Sequence, residues 1–143
     1  MTLVVSNTSP LTNLAAIGEM RLLERVFGKV HIAAAVRDEL AAGGQDWPGR
    51  AEVARAGWVE CHTVQNSALV LALGQDLDAG ESETIALGLE IGANLVLMDE
   101  REGRHRAQRM GLRVMGVVGV LLRAKALGYL VYRDALMAAD ETA

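Results

Sequence analysis

The chain has 143 residues, 51% of them hydrophobic, with a formal net charge of −4. That length makes one ordinary domain, and that hydrophobic content excludes a disordered chain. Aromatics make up only 3%, so the core is aliphatic and base-stacking platforms are excluded as the basis of any nucleic-acid contact.

The single cysteine, Cys61, excludes an intrachain disulfide and reads as a small packed hydrophobe. The N-terminus lacks a basic start and a long apolar run. With no apolar stretch long enough for a bilayer, the expected location is cytoplasmic, away from membranes. The 14 basic residues divide into 12 Arg and 2 Lys. Arg favours planar, bidentate phosphate contacts where it clusters.

The predicted elements alternate strand and helix, which argues for an α/β fold: a mostly parallel central sheet with helices on both faces. The first strand covers 3–6. Ser9-Pro10 has N-cap and first-position character and starts a helix. A second helical piece covers 20–26, followed by a strand over 30–32 and an Ala-rich helix over 33–41. Gly43-Gly44 and Pro48-Gly49 mark a break before a short helix over 50–56. A strand at the sheet edge is expected over 58–61, then a helix over 67–73. The helix over 78–91 opens on Asp78 with Glu81 three residues on, a capping-box pattern, and buries Ile85, Leu89 and Ala86 or Leu87. NLVLM, 94–98, is a continuous apolar run suited to a central parallel strand. A polar, Arg-rich helix over 101–110, a strand over 112–115 and helices over 117–127 and 131–139 complete the chain.

Chemistry-bearing residues cluster at the predicted strand ends. Asn7 follows the first strand and Asp99 the central one. Ligands of open α/β sheets bind at that rim. Glu39 sits late in its helix, where a negative charge opposes the helix dipole. Glu81 and Glu83 lie in the first turn of the long helix. Acids drawn from separated segments, without a Cys/His cluster, suit a hard cation such as Mg²⁺ or Mn²⁺ better than zinc. Such an ion activates water and stabilises charge on a phosphodiester. Each of these residues also has a plain structural role open to it: turn for Asn7, cap for Glu81 and Asp99, solvated surface for Glu39 and Glu83. Arg101 and Arg104 share a helix face beside Asp99 and suit RNA phosphates. His31, His62 and His105 are scattered, and no GxGxxG or P-loop is present.

The ordered set VVSNTSPLTNLAAIG, VRDEL, LDAGESETIALGLEIGANLVLMDEREGRHRA and LRVMGVVGVLLRAKALG resembles a PIN-domain subfamily similar to the virulence-associated toxin ribonucleases. The likeness spans nearly the whole chain as one PIN-like domain, 1–143. It implies a Rossmann-like fold and a Mg²⁺-dependent endoribonuclease, the toxin of a toxin–antitoxin pair. It also implies an RNA substrate, inhibition by a small cognate antitoxin, and a homodimer. The family's acids then fall on Asn7, Glu39, Glu81 (or Glu83) and Asp99, with Glu39, Glu81 and Asp99 catalytic. Asn7 departs from the usual Asp: its amide oxygen still ligates a cation but brings no charge. The alternative reading is a catalytically weak or inactive module that binds RNA or an antitoxin. Apolar residues near the C-terminus, among them Leu121, Leu122, Leu127, Tyr129 and Leu136, offer a partner surface or pack on the sheet.

Overall fold

A computed structural model describes residues 2–43 and 50–129. The helix expected over 131–139, Leu136 and most of the Gly/Pro break at 43–49 lie outside the described residues. In chain order the elements are β1 (Val4–Ser6), α1 (Thr8–Ala16), α2 (Leu22–Phe27), β2 (Val30–Ala33), α3 (Ala34–Ala42) and α4 (Arg50–Arg55). There follow β3 (Val59–His62), α5 (Ser67–Leu73), α6 (Ala79–Ile91), β4 (Leu95–Leu97), α7 (Arg101–Arg109), β5 (Val114–Met115) and α8 (Val117–Ala126).

The five strands form one sheet in the order β3-β2-β1-β4-β5, and all four pairings are parallel. The expected α/β architecture is therefore present. Side chains alternate along each strand and divide the core in two. Val4, Val30, Ile32 and Leu97 face Leu11, Leu14, Leu23, Val36, Val120 and Leu121 on one side. Val5, Ala33, Val96 and Met98 face Leu73, Ile85, Ala86, Leu87 and Ala107 on the other. Each fully buried Leu or Ile contributes about 1.5–3 kcal/mol of transfer free energy.

Several local expectations change. α1 begins at Thr8, so Asn7, not Ser9, holds the N-cap position, and Pro10 is the third helical residue. Leu89 is exposed while Ala86, Leu87 and Gly88 are all buried. α6 packs against α3, α5 and the sheet, so its mid-section has no solvent face and its last turn projects beyond the cover. Cys61 is exposed, and it lies on β3, the edge strand of the sheet. Leu121 is buried, whereas Leu122, Leu127 and Tyr129 are exposed. Among the described residues no helix is long and apolar enough to cross a membrane.

Chain order passes from β1 outward through β2 to β3, then returns to place β4 on β1's other side. The reversal puts a topological switch point between β1 and β4. At such a point two strand ends and the loops leaving them open a crevice. In register Ser6 stands beside Leu97, so Asn7 and Asp99 leave the sheet at that crevice.

Candidate functional site

Asn7 is 3% exposed, and its Oδ1 is one of two buried side-chain polar atoms among the described residues that lack a hydrogen-bond partner. The local sequence accounts for this. An N-cap side chain bonds to the second or third helical N–H. Here the third residue is Pro10, which has no N–H, and the Asn7 side chain makes no cap bond. The backbone N–H of Asn7 donates to Leu97 O at 2.9 Å, tying the residue to the end of β4. A buried amide oxygen without a partner costs free energy; a cation or water at the crevice would remove that cost.

Glu39 reaches the same rim from α3. Its Oε2 accepts a hydrogen bond from the Thr8 hydroxyl, on the first residue of α1. Its carboxylate also lies over the backbone of Gly80, where a methyl group would come within 2.7 Å of Oε2. Glu81 stands at the third position of α6 and is 7% exposed. The capping box is present as read: Glu81 N–H donates to Asp78 Oδ1 at 2.8 Å, and Asp78 N–H donates to Glu81 Oε1 at 3.2 Å. Its other oxygen, Oε2, points to α7, where a methyl group at Gly103 would sit 2.8 Å away.

Asp99 does not cap α7; that position belongs to Glu100. Its Oδ1 accepts from the N–H of Val117, the first residue of α8, at 2.8 Å, and its Oδ2 accepts from Asn13 Nδ2 on α1 at 3.1 Å. The helix start at Gly116 offers no side chain of its own, so Asp99 supplies the missing acceptor. A methyl group at Gly116 would meet Asp99 Oδ1 at 2.9 Å and Arg104 Nη1 at 2.7 Å. The same spot thus brings Arg104 beside Asp99. Arg101 is exposed in the first turn of α7.

Glu83 goes elsewhere. Its Oε1 accepts from the N–H of Ala35 at 3.1 Å, at the start of α3. The α3 N-cap is Ala33, with no side chain able to satisfy the first helical donors, so Glu83 does this from the neighbouring helix. Glu83→Ala is expected to lower stability by about 1–2 kcal/mol through the lost cap. Glu83→Gln, which keeps an acceptor, should lose less. Urea melts of the two variants check the order.

Three glycines therefore seat three acids: Gly80 under Glu39, Gly103 under Glu81, Gly116 under Asp99. Their use is close approach of backbone to a carboxylate. Thr8 and Asn13 were not read as partners of the acids, because each meets its acid across long sequence separations of 31 and 86 positions.

Burial pushes the Glu81 carboxyl above its ordinary value of 4.5; the Asp78 and Glu100 charges add to this, while the Asp78 backbone N–H opposes it. A carboxyl whose folded pKa is raised favours the fold most when protonated. That contribution is complete below 4.5 and is lost as pH rises through the raised value. Glu81→Gln keeps the Oε1 acceptor and removes the charge. In the absence of divalent cations it is expected to melt higher than the parent at pH 7, the difference closing as pH falls below 4.5. Melting curves in chelator across that range check this.

The donor set at the crevice is all oxygen: an unpartnered amide and three carboxylates. It fits a hard cation of the Mg²⁺ or Mn²⁺ class. Opposed ligands of an octahedral Mg²⁺ stand about 4.2 Å apart. Among the described residues these acids form no trio of oxygens mutually within 4.8 Å, so an ion here would be held directly by at most two of the carboxylates.

A five-stranded parallel sheet in the order 3-2-1-4-5, flanked by helices, is consistent with a PIN-type α/β protein. The chain matches the family described as PIN domain (DUF3368) over residues 3–141, and belongs to it. PIN domains are generally metal-dependent nucleases. No curated protein matches the chain.

Proposed function

We propose that this protein is a Mg²⁺-dependent endoribonuclease, with Asn7, Glu39, Glu81 and Asp99 holding the cation at the β1/β4 crevice. The observation that carries the reading is the buried, unpartnered Oδ1 of Asn7 at the rim where three glycine-seated carboxylates arrive. Pro10 denies that oxygen its usual cap partner, which leaves it open to a ligand at the rim.

Within this reading each side chain has a task. Thr8 fixes the Glu39 carboxylate, and Val117 N–H with Asn13 fixes Asp99, so neither acid must be ordered when substrate arrives. Arg104, beside Asp99, meets the scissile phosphate, and the exposed Arg101 meets a flanking one. A carboxylate of the set accepts the proton of the attacking water, whose oxygen bonds to phosphorus as the P–O bond to the leaving ribose oxygen breaks, and that oxygen takes up a proton from solvent. Mg²⁺, when bound, supplies Lewis-acid stabilisation of the phosphate charge. Glu83 acts as a positioning residue, holding α3 and with it Glu39.

The toxin role, the cognate antitoxin, the homodimer and the cytoplasmic setting rest on the resemblance of the ordered motifs. Exposed Leu122 on α8, with Leu127 and Tyr129 just after it, is where an antitoxin helix or second copy would bear. The decisive experiment is cleavage of a mixed RNA pool by purified protein in Mg²⁺ and in chelator, alongside growth of cells induced to express it. Mg²⁺-dependent fragments and growth arrest are expected. Intact RNA under both conditions would favour the second reading, a PIN module that binds without cutting, for which the uncharged Asn7 is the specific argument.

A further inference from the structure

Parallel pairing of β2 with β3 brings together residues that the sequence holds 29 to 31 positions apart. His31 stands beside Glu60 in register, and Ala33 beside His62. Because side chains alternate along a strand, His31, Glu60 and His62 all lie on one side of the sheet. The result is a cluster that the sequence reading, which found the histidines scattered, did not anticipate. His31 Nδ1 and His62 Nε2 are 2.8 Å apart, and His31 Nδ1 lies 3.8 Å from Glu60 Oε2. One ligand atom from each of the three residues lies within 4.8 Å of the other two, the only such His/Cys/Asp/Glu group among the described residues.

We propose that His31, Glu60 and His62 form a second cation site, selective for a zinc-class ion and separate from the oxygen-lined crevice between β1 and β4. Two imidazoles and one carboxylate are a borderline-soft donor set that zinc takes and Mg²⁺ does not favour. A tetrahedral ion with bonds of about 2.0–2.1 Å sets its nitrogens about 3.3 Å apart. The two rings, now in hydrogen-bond contact, need open by only about half an ångström to admit it. Three protein ligands leave a fourth position for water.

Access and competition are both visible. His31 is 7% exposed, but it lines a cavity of about 470 Å³ shared with Leu3, Phe27, Lys29, Glu60 and Arg123, and Glu60 opens to solvent. Lys29 Nζ sits 3.2 Å from Glu60 Oε2 and so competes with a cation for that carboxylate. Both Lys29 and Glu60 are about half exposed, so the ammonium can swing into solvent when a metal arrives. The ion would then fasten the edge strand β3 to β2 by bonds far stronger than the ladder's last hydrogen bonds.

The test is calorimetric titration of ZnCl₂ into the metal-free full chain carrying Glu81→Gln and Asp99→Asn, so that the acidic crevice does not report. One zinc per chain is expected, with a raised Tm. His62→Ala in that background is expected to weaken zinc at least roughly 100-fold, and Glu60→Gln roughly tenfold. Lys29→Ala, which removes the competitor, should tighten it. Co²⁺ should give visible absorption bands of nitrogen ligation that vanish with His62→Ala. Zinc binding that is absent, or equally tight in the His62→Ala and Glu60→Gln chains, overturns the proposal. Because Glu60 is exposed, its variant keeps the test decisive even where His62→Ala unfolds. RNA cleavage in Mg²⁺ is expected to be the same for Glu60→Gln as for the parent, which separates this site from the nuclease reading.

Discussion

Asp99→Asn is expected to lower Mg²⁺-dependent RNA cleavage by roughly 100-fold or more, the range seen when a single charge-stabilising group is taken from an active site, while the protein stays folded. The two oxygens of Asp99 have different partners. Oδ1 accepts from Val117 N–H at the start of α8, and an Asn side chain retains an oxygen for that bond. Oδ2 accepts from Asn13 Nδ2. There the variant can present an amide N–H donor to an amide N–H donor, but Asn13 is exposed and its amide can turn over so that its oxygen accepts. Geometry is therefore largely kept and one negative charge is lost. Asp99→Ala removes the cap as well and should cost about 1–2 kcal/mol of stability. Cleavage rates beside urea melts for the two variants separate charge from scaffold. Full activity in Asp99→Asn would remove Asp99 from the machinery.

Asn7→Asp is the converse experiment. It places a carboxylate where the buried, unpartnered amide oxygen now lies. Without metal, a buried charge with no partner is expensive, and the variant should lose about 1–3 kcal/mol, partly offset by the N-terminus of α1. With Mg²⁺ the sign reverses: the Tm rise on adding metal should grow, the Mg²⁺ needed for half-maximal cleavage should fall about tenfold, and cleavage should quicken. A variant that is equally stable without metal and unchanged in its Mg²⁺ response would show that Oδ1 does not face a cation.

Strand and helix order was legible because its causes are local. NLVLM could hardly be other than a covered parallel strand, and Asp78 with Glu81 wrote the start of α6 into four residues. Asn7 and Asp99 were legible as strand ends. Less could be read of what the side chains meet. Glu81 and Glu83 are two residues apart in one helical turn, and only the position of α3 shows that Glu83 turns to Ala35 while Glu81 turns to α7. Asp99 read as a cap for the next helix, yet it serves α8, brought beside it by β5 joining β4. The three glycines carry no local signal, since their partners are carboxylates from other elements. The His31–His62 pair depends on the β2–β3 register, which no short-range pattern fixes.

The switch point also sets when the crevice comes into being during synthesis. β1 leaves the ribosome early, but its neighbour β4 follows some ninety residues later; Leu3 N–H waits for Asn94 Oδ1, 91 positions on. The Asp99 carboxylate is then pinned only once Val117 has emerged. A nascent chain carrying Asn7 and Glu39 alone has two of the oxygens and no second wall to set them against. The second wall of the crevice is therefore complete only once the chain has been made through Val117.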